Sequence, residues 1–498
     1  MRPYKKEDIA NIYHDIVAKS KSYLDKGLYH KAIKYAEAAS KWAYGLNLFY
    51  TDAILEGVVR EVAKKRVREI VIDRPHEDRC VLIDSFCIDN RGLTQQYLRA
   101  MMNNGMKIMV VYTDKYGSIG RDIKEELEGY KDAEVLTFNS KTELFEEVNE
   151  TVKTIGRFSP AHIFLHLTPW DTIALMACSS IKGANIYNIN LTDHAYWMGA
   201  SFIDYNIEFR PYGYTVSLEK RGLKEEQLLS LAYYPIDPVS AEFEGFPPLP
   251  KDSVTVFTGG ALYKMLGKND IFFRIMERIL AISPKVYILV AGINDVELFE
   301  EKVSTLRNED RIILIGVRHD IDAVFDHCDI YLGTYPMMGG LMSQYAAKHG
   351  KPIIAYHEEG DVMNAVEQMV NIHQRQFRSF VDLESMAAYA KELIEDEEYR
   401  RKQGEILRKS AQTSEEFNLQ FKKMIKERMS IKDWNKDKID YDKFFRRYLE
   451  LENTSFDATK TLVANLKTGI FGTVMKHKLD LISVIIAMTA QKVFGWLK

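Results

Sequence analysis

Short apolar runs that alternate with helical stretches set the strongest limit on what this chain can fold into. One series occupies residues 81–86, 107–112, 134–138, 162–167 and 185–190. A second occupies 254–258, 285–291, 311–316, 329–332 and 352–356. Runs this short are strand-length, and the stretches between them are long enough for crossover helices, so each series predicts a parallel sheet with helices on its faces. Between the two lies a stretch holding Pro235, Pro238, Pro247, Pro248 and Pro250, which reads as a linker. Two open sheets joined in this way leave a cleft between the carboxyl ends of their strands, where ligands of such sheets bind.

The 498 residues divide accordingly. Residues 1–75 read as helical, 76–235 as the first α/β domain and 251–385 as the second. Residues 386–460 read as charged helices, one of which crosses back to the first domain, and 461–498 as an amphipathic tail. In the first segment Gly27, Tyr29, Ala32, Tyr35 and Ala39 have the spacing of half a tetratricopeptide repeat. A stable array needs about three copies and only one is visible, which favours a helical hairpin docked on the next domain. Either way this segment offers a surface for a protein partner or a second copy of the chain. In the tail, Leu479, Ile482, Ile486, Val493 and Trp496 share one helical face, with Lys467, Lys476, Lys478, Lys492 and Lys498 around it. Two readings stand: a helix lying in a membrane interface, or a helix docked on protein.

Composition excludes some classes. A net charge of −4 argues against a nucleic-acid partner. The four cysteines, Cys80, Cys87, Cys178 and Cys328, are far apart with no CxxC spacing, as expected of buried thiols in a reducing compartment rather than a disulfide framework or a zinc site. The first eight residues lack an apolar stretch, so no signal peptide is expected. No apolar run approaches the roughly 20 residues of a spanning helix. The expected location is cytoplasmic, at the inner face of the membrane if the tail binds lipid.

Two loops carry the chemistry. The first, Phe257-Thr258-Gly259-Gly260-Ala261-Leu262-Tyr263-Lys264, runs from a strand into paired glycines and then a lysine. Gly259 and Gly260 permit positive φ and close approach of a ligand, and Lys264 supplies a point charge for a diphosphate leaving group. The triphosphate pattern G-x-x-x-x-G-K-[ST] is absent, since Asn269 follows Gly267-Lys268. The second loop, residues 333–344, leads through Met338, Gly339, Gly340 and Leu341 into a helix with Ser343 and Gln344 in its first turn. Its N-terminus brings unpaired N–H groups and the positive end of a dipole. The plainer reading of both is an ordinary strand-to-helix turn. Arg318 and His319 follow the run 311–316 and are expected near the nucleoside. Asp89, Asp171 and His194 follow strands of the first domain and are the candidates for a base. Histidine suits that role best, because its pKa lies near working pH.

The segments Leu262-Tyr263-Lys264, Asp329-Ile330-Tyr331-Leu332-Gly333-Thr334 and Ala347-Lys348-His349-Gly350-Lys351-Pro352 resemble the UDP-sugar half of the two-Rossmann (GT-B) glycosyltransferases. The closest resemblance is to the O-linked N-acetylglucosamine transferase family and its bacterial relatives that glucosylate adhesins. Ile186-Tyr187-Asn188-Ile189-Asn190 and Gly199-Ala200-Ser201-Phe202-Ile203-Asp204-Tyr205 extend it upstream. The resemblance covers about residues 80 to 360. It implies an α/β fold of two Rossmann-like domains facing a cleft. It also implies inverting transfer from a UDP-sugar to a glycan, lipid-linked or protein acceptor, with no metal and no cofactor beyond the donor. Lys264 matches the lysine that stabilises the leaving diphosphate. Asp89-Asn90-Arg91-Gly92 stands where the family has an Asn-His-Pro-like turn, so acceptor handling by Asn90, Arg91, Gly92 and Asp171 differs there. Gly340-Leu341-Met342 replaces a His-Thr-Thr, which leaves backbone N–H groups in place of hydroxyls. Retaining relatives often carry two glutamates eight positions apart; Pro336 and Gln344 occupy those places here. The alternatives are a sugar-nucleotide 2-epimerase and a catalytically inactive GT-B subunit that binds a partner.

Overall fold

The computed structural model describes residues 3–89, 93–113, 118–138, 142–236, 242–373 and 376–466, and in the tail 469, 473, 476 and 477. The two apolar series form two parallel sheets. The first has seven strands in the order Ala133–Phe138, Lys107–Thr113, His76–Asp84, Pro160–His166, Asn185–Ile189, Tyr205–Glu208, Leu228–Ser230. The second has five, in the order Ile312–Leu314, Val286–Ala291, Val254–Gly259, Ile330–Leu332, Ile353–Ile354. All neighbouring pairs within them run parallel. In each sheet the order reverses beside its first long strand, His76–Asp84 in one and Val254–Gly259 in the other. Such a switch point opens a crevice at the strand ends.

The N-terminal segment differs from a docked hairpin. It has three helices, Lys6–Asp25, Tyr29–Leu46 and Ala53–Arg66. Their apolar faces share one core with the first sheet, in which Tyr13, Ala39 and Trp42 join Val81, Ile163 and Leu175. Glu56, 2% exposed, accepts hydrogen bonds from the backbone N–H groups of Gly199, Ala200 and Ser201 at 2.8, 3.0 and 2.9 Å. A carboxylate so enclosed fixes the helices to the domain.

The C-terminal helices are distributed over the molecule. Leu383–Glu395 completes the core of the second domain through Met386, Ala390 and Leu393. Ser414–Glu427 crosses back, packing Phe417 and Phe421 against Tyr97 of the first domain. Asp457–Leu466 packs Leu462 and Leu466 into the same core as the N-terminal helices. The described tail residues continue this course. Tyr35 donates to the Gly469 carbonyl at 2.8 Å, and Lys476 pairs with Asp15 at 2.7 Å. The start of the tail is therefore docked on protein, and Lys476 belongs to an ion pair. The stripe from Leu479 to Trp496 lies outside the described residues. Among the described residues no helix is long and apolar enough to cross a membrane. All four cysteines are buried, free thiols.

The linker is held from both sides. Gln96 of the first domain donates to the Tyr234 carbonyl at 2.9 Å. Gln344 and Tyr345 of the second donate to the carbonyls of Tyr233 and Ile236, each at 2.9 Å.

Candidate functional site

The glycine loop of the second domain has the geometry its composition implies. Gly260 sits at φ +147, in the region that favours glycine, and a Cβ there would lie 3.4 Å from Cδ of Lys264. The lysine stem thus folds back over the glycine. Asn294 Oδ1 accepts from the Leu262 N–H at 2.9 Å and fixes the turn. Burial pushes the Lys264 ammonium below its ordinary value, and among the described residues no carboxylate is paired with it. A partly desolvated cation without a counter-charge is a ready anion site.

The second glycine loop lies beside the first. The Met337 N–H donates to the Lys264 carbonyl at 3.3 Å. Met338 donates through its N–H to Asn364 Oδ1 at 3.0 Å. The helix Gly340–Lys348 then starts from Gly339 with no side chain capping it. Its first N–H groups, at Gly340 and Leu341, are of the kind that bind anions. A Cβ on Gly339 would fall 3.0 Å from the Tyr331 hydroxyl, and one on Gly340 would fall 3.1 Å from Cε of Met369. Gly259, Gly260, Lys264, Met338, Gly339, Gly340 and Leu341 are therefore brought into one region.

Three residues expected to bind the donor have other work. Ser343 is fully buried and donates to the Gly339 carbonyl at 3.0 Å, inside its own helix. Gln344 faces the linker, as described above. Arg318 is bidentate to Asp320 at 2.7 and 2.5 Å and donates to the Gly245 carbonyl at 2.7 Å, with Phe243 and Phe246 over its guanidinium. It anchors the second half of the linker. His319, beside it, is exposed.

In the first domain the aspartates are caps. Asp89 accepts from the N–H groups of Asp122 and Ile123, at 3.1 and 2.9 Å, at the start of helix Arg121–Glu128. Asp171 caps helix Thr172–Ser179 through the N–H groups of Ile173 and Ala174, and accepts from Ser85. Carboxylates committed to helix N–H groups are poor bases, because these bonds stabilise the ionised form. Asp89→Ala is expected to lower stability by about 0.5–2 kcal/mol through loss of the cap. Urea denaturation measures it, and a fall in rate at unchanged stability would return Asp89 to a catalytic role. Asn90, Arg91 and Gly92 lie outside the described residues.

His194 is 27% exposed, with Nδ1 3.4 Å from Asp193 Oδ1. Asp193 is buried and bidentate with Arg210 at 2.5 and 2.9 Å. Burial alone would raise its carboxyl, but the Arg210 guanidinium overrides this and holds it at about 2. Arg210 also donates to the Met363 carbonyl of the second domain at 2.8 Å. Arg221, buried behind the loop, donates to the carbonyls of Asp193 and Ala195 at 3.0 and 2.7 Å. The histidine therefore stands on a rigid turn at the domain boundary. Its ring meets Phe444 edge-on at 6.4 Å. Phe444 lies on helix Tyr441–Ser455, whose Arg447 donates to the Pro336 carbonyl at 3.2 Å and pairs with Asp361 at 2.6 Å. One helix thus touches both the His194 turn and the second glycine loop.

Two buried groups escape a reading of strand ends alone. Asp84 and His166 end neighbouring strands at the switch point. Nδ1 of His166 lies 2.9 Å from Asp84 Oδ2, and Nε2 is buried with no partner among the described residues. Burial works to raise the Asp84 carboxyl; His166, Thr94 and the Cys87 N–H overcome it and hold it below the usual range. The ring is fully enclosed, with Phe86 4.8 Å away, so the pair fixes the turn that follows rather than facing the cleft. Polar residues at both ends of an apolar run, His162 and His166, were the available signal.

The second is Glu208. It accepts from Asn190, Asn206 and Ser217 at 2.9, 2.5 and 2.5 Å. Burial pushes its carboxyl up to about 7. A raised carboxyl favours the native state while it stays protonated. Its contribution is complete below about 4.5 and is lost as pH rises through 7. Glu208→Gln is expected to melt above the parent near pH 8 and to lose that advantage below pH 4.5, as read from Tm against pH.

Among the described residues no group of three or more His, Cys, Asp or Glu side chains is placed to hold a metal ion. No family model and no curated protein matches the sequence. Solved structures do match the fold. The O-GlcNAc transferase of Thermobaculum terrenum, solved as a point mutant, superposes with a TM-score of 0.52 at 14% identity, covering 90% of this chain and 85% of that one. A glycosyltransferase of Rickettsia africae gives 0.52 at 12% identity, over 71% of this chain and 99% of that one. HepE of Anabaena, solved with UDP and glucose, gives 0.50 at 15% identity, over 70% and 100%. The chain has the GT-B fold.

Proposed function

We propose that the protein transfers a sugar from a nucleotide sugar, UDP-linked, to a hydroxyl of a glycan, lipid-linked or protein acceptor, with inversion and without a metal ion. The observation that carries this reading is Lys264: a desolvated ammonium folded over Gly260, hydrogen-bonded through its carbonyl to the loop that starts helix Gly340–Lys348. The fold it shares with glycosyltransferases, one of them solved with UDP and glucose, supports the nucleotide. In this proposal the diphosphate rests on Lys264 and the N–H groups of Gly340 and Leu341, and the nucleoside lies near His319. The acceptor oxygen forms its bond to the anomeric carbon as the bond to the diphosphate oxygen breaks. The electron pair of that bond leaves with UDP, and the acceptor proton passes to His194.

The test is UDP release from a panel of UDP-sugars, with the anomeric configuration of the product read by NMR. Turnover with inversion is expected. No release from any UDP-sugar, with UDP itself failing to bind, would overturn the reading. In single-turnover experiments at saturating donor, His194→Ala should lose more than about tenfold, a threshold well short of the roughly 10²–10⁴ that a general base usually contributes. A smaller loss assigns the base elsewhere.

A further inference from the structure

Four hydrogen bonds pin the second glycine loop just before its glycines. The Pro336 carbonyl accepts from Arg447 at 3.2 Å, and the Met337 N–H donates to the Lys264 carbonyl at 3.3 Å. The Met337 carbonyl accepts from Thr334 Oγ1 at 2.6 Å, and the Met338 N–H donates to Asn364 Oδ1 at 3.0 Å. Gly339 follows, and then the N–H groups of Gly340 and Leu341, with no side chain capping them. The direction of those N–H groups is set by the backbone that enters the helix, and so by these four bonds.

Two of the four lead to Arg447. Its Nη1 holds the Pro336 carbonyl directly. Its Nη2 donates to Asp361 Oδ2 at 2.6 Å, and the same oxygen accepts from Asn364 Nδ2 at 2.9 Å. A carboxylate oxygen in an ion pair accepts and does not donate, so this bond fixes which end of the Asn364 amide is the NH2. Oδ1 is left to accept from Met338. The route from Arg447 to the loop is continuous: guanidinium, carboxylate, amide, backbone N–H. The Arg447 and Asp361 side chains are 14% and 7% exposed, which removes most of the screening that weakens surface pairs. The Arg447 charge is met by Asp361, so the residue acts through the loop and not by touching a phosphate.

The helix that carries Arg447 is seated on the other half of the molecule. Phe445 lies in the core shared by the N-terminal helices and the first sheet, and the Tyr441 hydroxyl donates to Glu219 at 2.8 Å. Phe444, three residues before Arg447, is the ring that meets His194. A loop of the second domain is thus shaped by a residue borne on a helix that packs with the first.

Resting on the glycosyl-transfer reading, we infer that Arg447 is a positioning residue of the diphosphate subsite. Through the Pro336 carbonyl, and through Asp361 and Asn364, it holds the loop so that the Gly340 and Leu341 N–H groups meet the phosphates.

The test uses the full chain, with UDP and inorganic pyrophosphate titrated by calorimetry at a temperature where every variant is folded. Arg447→Met should weaken both ligands by about tenfold, near the lower end of what a hydrogen bond to a charged group contributes. Arg447→Lys should recover part of the loss, since it restores the charge but not the fork that reaches two acceptors. Asn364→Leu leaves the ion pair in place and breaks only the last step of the route; it should also weaken both ligands. The double variant should fall no more than about threefold below the weaker single variant, because residues on one route are not additive. A lower Tm in Arg447→Met with both affinities unchanged, or losses that multiply fully in the double variant, overturns the inference and leaves the transfer reading standing. Pyrophosphate bound by a parent that binds no UDP, and weakened in Arg447→Met, upholds the inference and overturns the UDP reading instead. A parent that binds neither ligand overturns both.

Discussion

Lys264→Ala is expected to slow UDP-sugar turnover by about 10²–10³, the usual effect of removing one preorganised donor to developing negative charge. Departure of a nucleoside diphosphate builds charge on the bridging oxygen. The Lys264 ammonium is already stripped of part of its water and, among the described residues, paired with no carboxylate, so little reorganisation is needed when that charge appears. The loss should fall mainly on kcat, because the charge is greatest in the transition state. Lys264→Arg should recover part of the rate, since it restores a cation but not its shape. Steady-state kinetics on UDP release decides the matter. A variant within threefold of the parent would remove Lys264 from the donor site.

Arg210→Met is expected to destabilise the protein by about 3–5 kcal/mol, the range seen when one partner of a buried ion pair is removed. Both oxygens of Asp193 bind this guanidinium, and what remains nearby is the His194 ring at 3.4 Å and the buried Arg221 guanidinium, which binds the Asp193 carbonyl. The variant also loses the bond to the Met363 carbonyl, which ties the two domains together. The pH dependence has a definite sign. Asp193 is held at about 2, below its unfolded value, so its contribution is present above about 4 and is lost as pH falls toward 2. In Arg210→Met that acid-side loss should vanish, and Asp193→Asn in the same chain should recover part of the stability. Urea denaturation at pH 7 and pH 3 measures both. A parent-like midpoint at pH 7 would mean that the ion pair contributes little.

The parts of the fold that were legible in the sequence are those built from apolar contrast. Ten runs stood out and became the strands expected of them, with ends moved by a few residues. Tyr205–Glu208 was missed because Asn206 and Glu208 are buried polar residues, satisfied by one another and by Ser217. Leu228–Ser230 is too short to show a period. The paired glycines were legible as backbone geometry, since Gly260 takes the positive φ, +147, that glycine permits at a strand end. Side-chain direction was harder to read. Ser343 and Gln344 share the first turn of their helix with Leu341, yet face the protein interior and the linker. Asp171 stands just before a helix and is recognisable as a cap in retrospect. Asp89 is not, because the helix it caps begins at Arg121, far along the chain.

The first and last described helices share one core. Lys6 pairs with Asp442 at 2.5 Å, the Tyr4 N–H donates to Asn453 at 2.6 Å, and Leu462 and Leu466 pack among Ala39 and Trp42. Neither end is a detachable module. A truncation that removes residues 1–66 leaves the apolar face of Asp457–Leu466 bare, and a cut before Asp457 does the same to Tyr29–Leu46. Shortening the gene at one end therefore strips apolar cover from the other, however far apart the two ends stand in it.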